Sequence, residues 1–289
     1  MESKKRFYSL LLLIFLLALS VSCGGGQNGA SKEAEPQQTT GPVYTPTGDE
    51  GTVAGKVAFE GTPPANPKLN MDADAVCARK HTGTVTAEEV LVSDGKLQNV
   101  FVYIKDGLGN KSFAVPQQEV VLDQNGCMYV PHVLGIQRNQ NLKVTTSDDT
   151  THNIHPLPKK NLEWNVNQPP KADPIIRKFN QEEVMIPVKC NQHPWMKAYI
   201  GVLSHPFYAV TGKDGSFELK GVPPGEYTIG AWHEKYGEKT QKITVGAKES
   251  KTVDFTFKAD EAPASPPLGA PLILPSLQSA GGHSEHGKH

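Results

Sequence analysis

Apolar residues between Gly51 and Lys258 come in short alternating runs, cut by glycine, proline and Asn-Gly signals, and a helical period of any length is missing. TVAGKVAFEG runs into a Pro-Pro break. NVFVYIKDG sets Val100, Val102 and Ile104 on one face. VVLDQNGCMYV holds a turn signal at Asn125-Gly126, and LKVTT, VMIPV and YIGVL are further strands. DADAVCARKH is long enough for two helical turns at most. Many short strands with this punctuation predict an all-β fold of sandwiches or barrels.

The two ends of the chain read differently. Lys4, Lys5 and Arg6 precede an apolar run from Phe7 to Leu19, too short to span a membrane comfortably and suited to a secretory signal. Ser20, Val21 and Ser22 then lead to Cys23. This resembles a bacterial lipoprotein box, with its leucine one place early at Leu19, and implies a signal over 1–22 and a lipid on Cys23. A plain signal peptide with Cys23 as a free thiol is the alternative. Residues 23–50 are rich in Gly, Gln, Thr and Pro and are expected to form a flexible tether. Residues 259–289 form a proline-containing tail ending in His283, His286 and His289, expected to be solvated. The formal net charge is -1 and no basic cluster stands in the folded part, so no nucleic-acid partner is expected. The lipoprotein resemblance implies a chain of the cell envelope, held to a membrane by a lipid on Cys23 and facing the periplasm or the cell surface. Cysteine usage agrees with an oxidising compartment. Setting Cys23 aside leaves Cys77, Cys127 and Cys190, an odd number, so at least one has a job other than a disulfide.

One strand pair is written in its turn residues. In GKDGSFELKGVPPGEYTIGAWHE, residues 212–234, Asp214-Gly215 turns the chain, Phe217 and Leu219 alternate, Pro223-Pro224-Gly225 turns it back, and Tyr227, Ile229 and Ala231 alternate again. A hairpin is the expectation. The stretch resembles transthyretin-like, carboxypeptidase-regulatory β-sandwiches, which implies a binding or scaffolding module without catalysis of its own. In that type the hairpin follows a G-x-V-x-F-x-G strand and a strand like NVFVYIK. Here those strands stand far upstream, at Gly55–Gly61 and Asn99–Lys105. Two arrangements are open. Residues 51–113 and 206–258 form one module with 114–205 inserted, which surface turns tolerate when chain ends lie close; or two domains follow in series. Trp232-His233-Glu234 begins like a zinc-protease helix, but position 237 is Gly.

Between those parts lies VKCNQHPWMKAYIGV, residues 188–202, with a thiol, an imidazole and a thioether at Cys190, His193 and Met196. Such donors suggest a metal. A disulfide from Cys190 to Cys77 or Cys127, with His193 and Met196 as ordinary loop residues, is the alternative. Upstream, SDDTTHNIHPL carries His152 and His155. An odd separation on a strand points them to opposite faces, so only one serves a common site.

THNIHP and CNQHPWM, with strands of suitable length around them, resemble the cupredoxins, and amicyanin-like members most closely. The resemblance covers residues 116–205. It implies a Greek-key β-sandwich with one type 1 copper ion, held by His152, Cys190 and His193 with Met196 as a distant fourth ligand. It also implies that Asn153 ties the two ligand loops together. Chemistry supports such a set, because two imidazoles, a thiolate and a weak thioether suit neither copper oxidation state fully. With Cys190 reduced, Cys77 and Cys127 become the disulfide pair. Single electrons would pass the imidazole edge of His193, beside a small apolar docking patch of Pro194 and Trp195. The partner would be a c-type cytochrome or a dehydrogenase, met in a small transient contact. Amicyanin-like members carry proline before the loop histidine; here it is Gln192, whose N–H is expected to face the Cys190 sulfur and raise the reduction potential. A copper carrier or sensor, using the histidine tail for delivery, and a metal-free structural lipoprotein are the rival readings. No nucleophile–base motif points to an enzyme. His81 and His132 are expected to be structural, and His205 to mark a domain junction.

Overall fold

The computed structural model describes residues 41–261. The signal segment, Cys23, most of the tether and the tail histidines lie outside the described residues. In chain order the elements are β1 (Gly51–Glu60), helix α1 (Ala75–Lys80), β2 (Val92–Ser93), β3 (Lys96–Leu97), β4 (Phe101–Asp106), β5 (Val120–Asn125) and β6 (Met128–Val130). Then come β7 (Val133–Gln137), β8 (Leu142–Thr146), β9 (His152–Pro156), β10 (Val166–Gln168), β11 (Ile175–Arg177), β12 (Glu183–Lys189) and β13 (Lys197–Leu203). Last are β14 (Tyr208–Val210), β15 (Ser216–Val222), β16 (Gly225–His233), β17 (Gly237–Val245), β18 (Ser250–Thr252) and β19 (Phe255–Lys258). Over the described residues the fold is all-β apart from α1. Among the described residues no helix is long and apolar enough to cross a membrane.

The strands form four sheets. Two of them, β10-β9-β12-β13-β7 and β11-β8-β5-β6, enclose a core that includes Leu122, Ile136, Val144, Ile186 and Ile200. The other two are β14-β4-β16-β17 and β15-β1-β3-β2, the latter extended by β18 and β19 on β1. They enclose Val57, Leu97, Ile104, Leu219, Ile229 and Phe257. Each sandwich thus buries one face of every sheet, as the alternating runs require. β1 pairs in parallel with β18 through Thr52–Ala54 and with β19 through Val57–Glu60. Gly55 stands where the chain passes from β18 to β19, and a Cβ there would lie 1.7 Å from the Val253 carbonyl oxygen.

The expected hairpin is not one. Phe217, Leu219, Tyr227, Ile229 and Ala231 are all buried, as the alternation requires. Yet β15 pairs with β1, and β16 with β4 and β17, so the Pro-Pro-Gly turn carries the chain from one sheet to the other. Pro223 and Pro224 have no N–H with which to open a ladder. The Tyr227 hydroxyl donates to the Pro223 carbonyl at 2.7 Å and pins the corner from inside.

β4 is buried on both faces. Its second face, through Phe101 and Tyr103, meets Val133, Met185, Tyr199 and Leu203 of the first sandwich in a third core. Gly135 and Gly201 are register partners across β7 and β13. A Cβ on Gly201 would lie 2.5 Å from Phe101 Cζ, and one on Gly135 2.3 Å from Tyr208 Cδ2. The glycine pair is therefore the hollow into which the aromatic rings sink. His132 also joins the two parts: its Nε2 is 2.6 Å from Glu234 Oε1 and its Nδ1 3.1 Å from the Lys197 carbonyl. Both partners only accept, so both ring nitrogens must carry protons for the contacts to be made. The two chain crossings between the sandwiches lie together, with the Phe113 and Phe207 rings 5.1 Å apart. Gln137 Nε2 donates to the carbonyls of Phe113 and Ser204 at 3.1 and 3.4 Å.

Candidate metal centre

Cys190 follows the last residue of β12, and β13 begins after Met196. The loop between them is closed by Met196 N donating to the His193 carbonyl at 2.9 Å and Cys190 N to the Met196 carbonyl at 3.4 Å. β9 runs antiparallel beside β12, pairing His155 with Lys189. This brings His152, at the start of β9, over the loop. His152 Nδ1 lies 2.9 Å from His193 Nδ1, which lies 3.6 Å from the Cys190 sulfur. The three donor atoms are within 4.8 Å of one another. All three residues are buried, and Met196 is fully buried in the same core as Cys190. Cys190 is unpaired, while Cys77 and Cys127 are bridged. His155 turns away, as strand parity requires, and its Nε2 meets Glu163 Oε1 at 2.6 Å.

Asn153 joins β9 to the loop. Its Oδ1 accepts from Asn191 N, its Nδ2 donates to Asn165 Oδ1, and its carbonyl accepts from the Tyr129 hydroxyl at 2.6 Å. Asn153 N also donates to the Cys190 sulfur at 3.4 Å. Burial alone would push the Cys190 thiol up. The His152 imidazole and the backbone N–H groups of Asn153, His193 and Gln192 outweigh burial, so its pKa is lowered. Burial also opposes a charge on His152. The Asp148 carboxylate, 3.0 Å from His152 Nε2, and the Cys190 sulfur overcome this and raise its pKa to about 9. Asp148 in turn accepts from Gly126 N at 2.9 Å and Cys127 N at 2.7 Å and pairs with Lys80 at 3.0 Å.

The imidazole edge of His193, the expected route for electrons, is covered. His193 is 3% exposed. Its Nε2 lies 3.2 Å from Asp74 Oδ2 and 3.7 Å from the Cys77 sulfur. The segment holding α1 lies over the edge, fastened by the Cys77–Cys127 bridge. Burial lowers the His193 pKa and Asp74 opposes it, with the net direction downward. Asp74 caps α1: its Oδ1 accepts from Val76 N at 2.7 Å and Cys77 N at 3.1 Å, and its Oδ2 accepts from Thr150 Oγ1 at 2.7 Å. Burial disfavours its charge, but these donors together with His193 hold its pKa at about 2. Pro194 is exposed and Trp195 half-buried. The Trp195 ring lies 5.1 Å from that of His193, and its Nε1 donates to the Cys127 carbonyl at 3.0 Å.

Residues 193–258 match the carboxypeptidase regulatory-like domain family. The match begins at the loop histidine and takes in β13, which pairs in the other sandwich with β12 and β7. The two sheets around β14–β19 are completed by β1 and β4, which lie ahead of the matched residues. No curated protein sequence matches the chain. Among solved structures, the chain is similar to a copper-containing nitrite reductase from Thermus scotoductus SA-01, at 17% identity and a TM-score of 0.29 over 33% of this chain. It spans 24% of that reductase chain. A purple cupredoxin from Nitrosopumilus maritimus is 19% identical, with a TM-score of 0.25, over 29% of this chain and 98% of its own. The Cu(I) form of an amicyanin mutant is 17% identical, with a TM-score of 0.26, over 35% of this chain and 97% of its own.

Asp74, Thr150 and Asp148 were not among the residues singled out from the sequence. Asp148 stands four places before His152 in an Asp-rich approach, a local signal that was available. Asp74 precedes the short helical stretch as a capping residue would, but nothing in the sequence ties that helix to a loop 119 positions away.

Proposed function

We propose that this chain is an electron carrier of the bacterial envelope, lipid-anchored at Cys23. His152, Cys190, His193 and Met196 would hold one type 1 copper ion. The reading is carried by the approach of two imidazole Nδ1 atoms to 2.9 Å beside a buried, unpaired thiol. Two ring nitrogens facing each other at that distance need a proton or a cation between them, and the nearby sulfur makes the set soft. Copper, when bound, supplies a one-electron change in a ligand field suited fully to neither of its oxidation states. The remaining work falls to the chain. Asp148 fixes His152 with Nδ1 inward, Asn153 locks β9 to the ligand loop, and the backbone hydrogen bonds of the Cys190–Met196 turn hold its donors in place. The partner, a c-type cytochrome or dehydrogenase, would meet Pro194 and the half-buried Trp195 rather than the ring edge of His193. The regulatory-like domain then serves as spacer or second docking surface. Transfer of electrons, without turnover of a substrate, is the activity proposed.

The test is the visible spectrum of the full chain in detergent after addition of Cu(II). An intense sulfur-to-copper band, absent from C190S, is expected. A loaded parent that stays colourless rejects the reading.

A further inference from the structure

Resting on the copper reading, we propose that Asp74 is a positioning residue for His193 and biases the site toward the oxidised metal. An imidazole offers Nδ1 to a metal in the required direction when Nε2 carries its proton and that N–H has a fixed acceptor. Asp74 Oδ2 is that acceptor, at 3.2 Å. The carboxylate is itself held by Val76 N, Cys77 N and Thr150 Oγ1, so it cannot swing away while α1 stays in place. α1 is held by the bridge from Cys77 to Cys127. Cys127 N in turn donates to the Asp148 oxygen that faces His152 Nε2. One cross-linked frame therefore supports both imidazoles from behind.

Two consequences follow for the metal. A carboxylate behind an imidazole makes the ring a stronger donor, and its negative charge lies close to the ion. Both effects favour the doubly charged ion over the singly charged one. With the His193 side chain 4% and the Asp74 side chain 22% exposed, solvent screens this charge little.

The experiment uses the full chain loaded with copper, comparing the parent with D74N, D74S and E163Q. Asn and Ser both cap helices, so α1 keeps its start in either variant. Asn loses the charge; Ser is too short to reach the ring. Glu163 bonds His155, outside the donor set, so E163Q controls for a carboxylate lost nearby. D74N and D74S should lose preference for Cu(II) over Cu(I) on the order of 10-fold. That is a positive shift of the midpoint potential of about 59 mV for one electron. E163Q should stay at the parent's value. A folded D74S that releases Cu(II) where the parent retains it is the stronger form of the same result. Blue D74N and D74S at the parent's potential overturn this inference alone. A colourless parent overturns the copper reading and this inference with it.

Discussion

The backbone N–H groups of Asn153, His193 and Gln192 help to lower the Cys190 pKa, and that of Gln192 is the one a substitution can remove without touching a donor atom. Each such hydrogen bond draws charge from a thiolate and weakens it as a ligand for the oxidised ion. The Gln192 side chain is exposed, so replacing it disturbs little else. Q192P should lower the potential, while Q192A, which keeps the N–H, should leave it unchanged. Voltammetry on both decides, and a Q192P value at or above the parent's rejects the role. At this scale the sequence was most legible where the chemistry is local. Cys190, His193 and Met196 belong to one short turn, and strand parity allows only one of His152 and His155 to join them, the resemblance rather than geometry picking His152. What stayed hidden was the lid over His193. Its contact depends on the path of a long loop, and an aspartate before a short helix has the same local signature wherever that helix docks.

Strands were legible as strands, because alternation and turn residues are short-range properties. Their neighbours were not. Phe217–Leu219 and Tyr227–Ala231 bury the same faces whether β15 and β16 lie side by side or in opposed sheets, so pattern alone favoured the commoner hairpin. Nor does a pattern show that β4 is covered on both faces, except through the unbroken apolar run Phe101–Ile104. The glycine pair of β7 and β13 carries that junction. In G201A the added methyl meets Phe101, and in G135A it meets Tyr208. Overpacking of this kind costs about 1–3 kcal/mol. Urea denaturation should show that loss for each variant. G83A, where nothing lies within 4 Å, should stay within about 0.5 kcal/mol of the parent. A G201A chain as stable as the parent would mean that the rings can retreat.

Across the whole molecule, buried histidines link stability to pH in opposite senses. Burial lowers His205 to about 4 and His233 to about 3, from an ordinary value of 6.5. Between those values and 6.5 the unfolded chain binds more protons than the folded one, so stability falls as pH drops through that window. His132 behaves conversely. Burial resists its charge, but Glu234 outweighs burial and raises its pKa above 6.5. Its contribution is therefore complete below 6.5 and is lost as pH rises through the raised value. H205N and H233N, which keep an acceptor for Phe207 N and Lys235 N, should flatten the acid limb of a urea-midpoint profile. H132Q should flatten the opposite limb, and limbs unmoved by these changes would rule out the assignment. The parallel ladders of β1 with β18 and β19 have a mechanical consequence. Tension applied at Gly51 and at Lys258 pulls neighbouring parallel strands from opposite ends, loading their hydrogen bonds together in shear. The force runs through the sandwich that contains β1, β18 and β19, and the donor set on the other sandwich lies off its line.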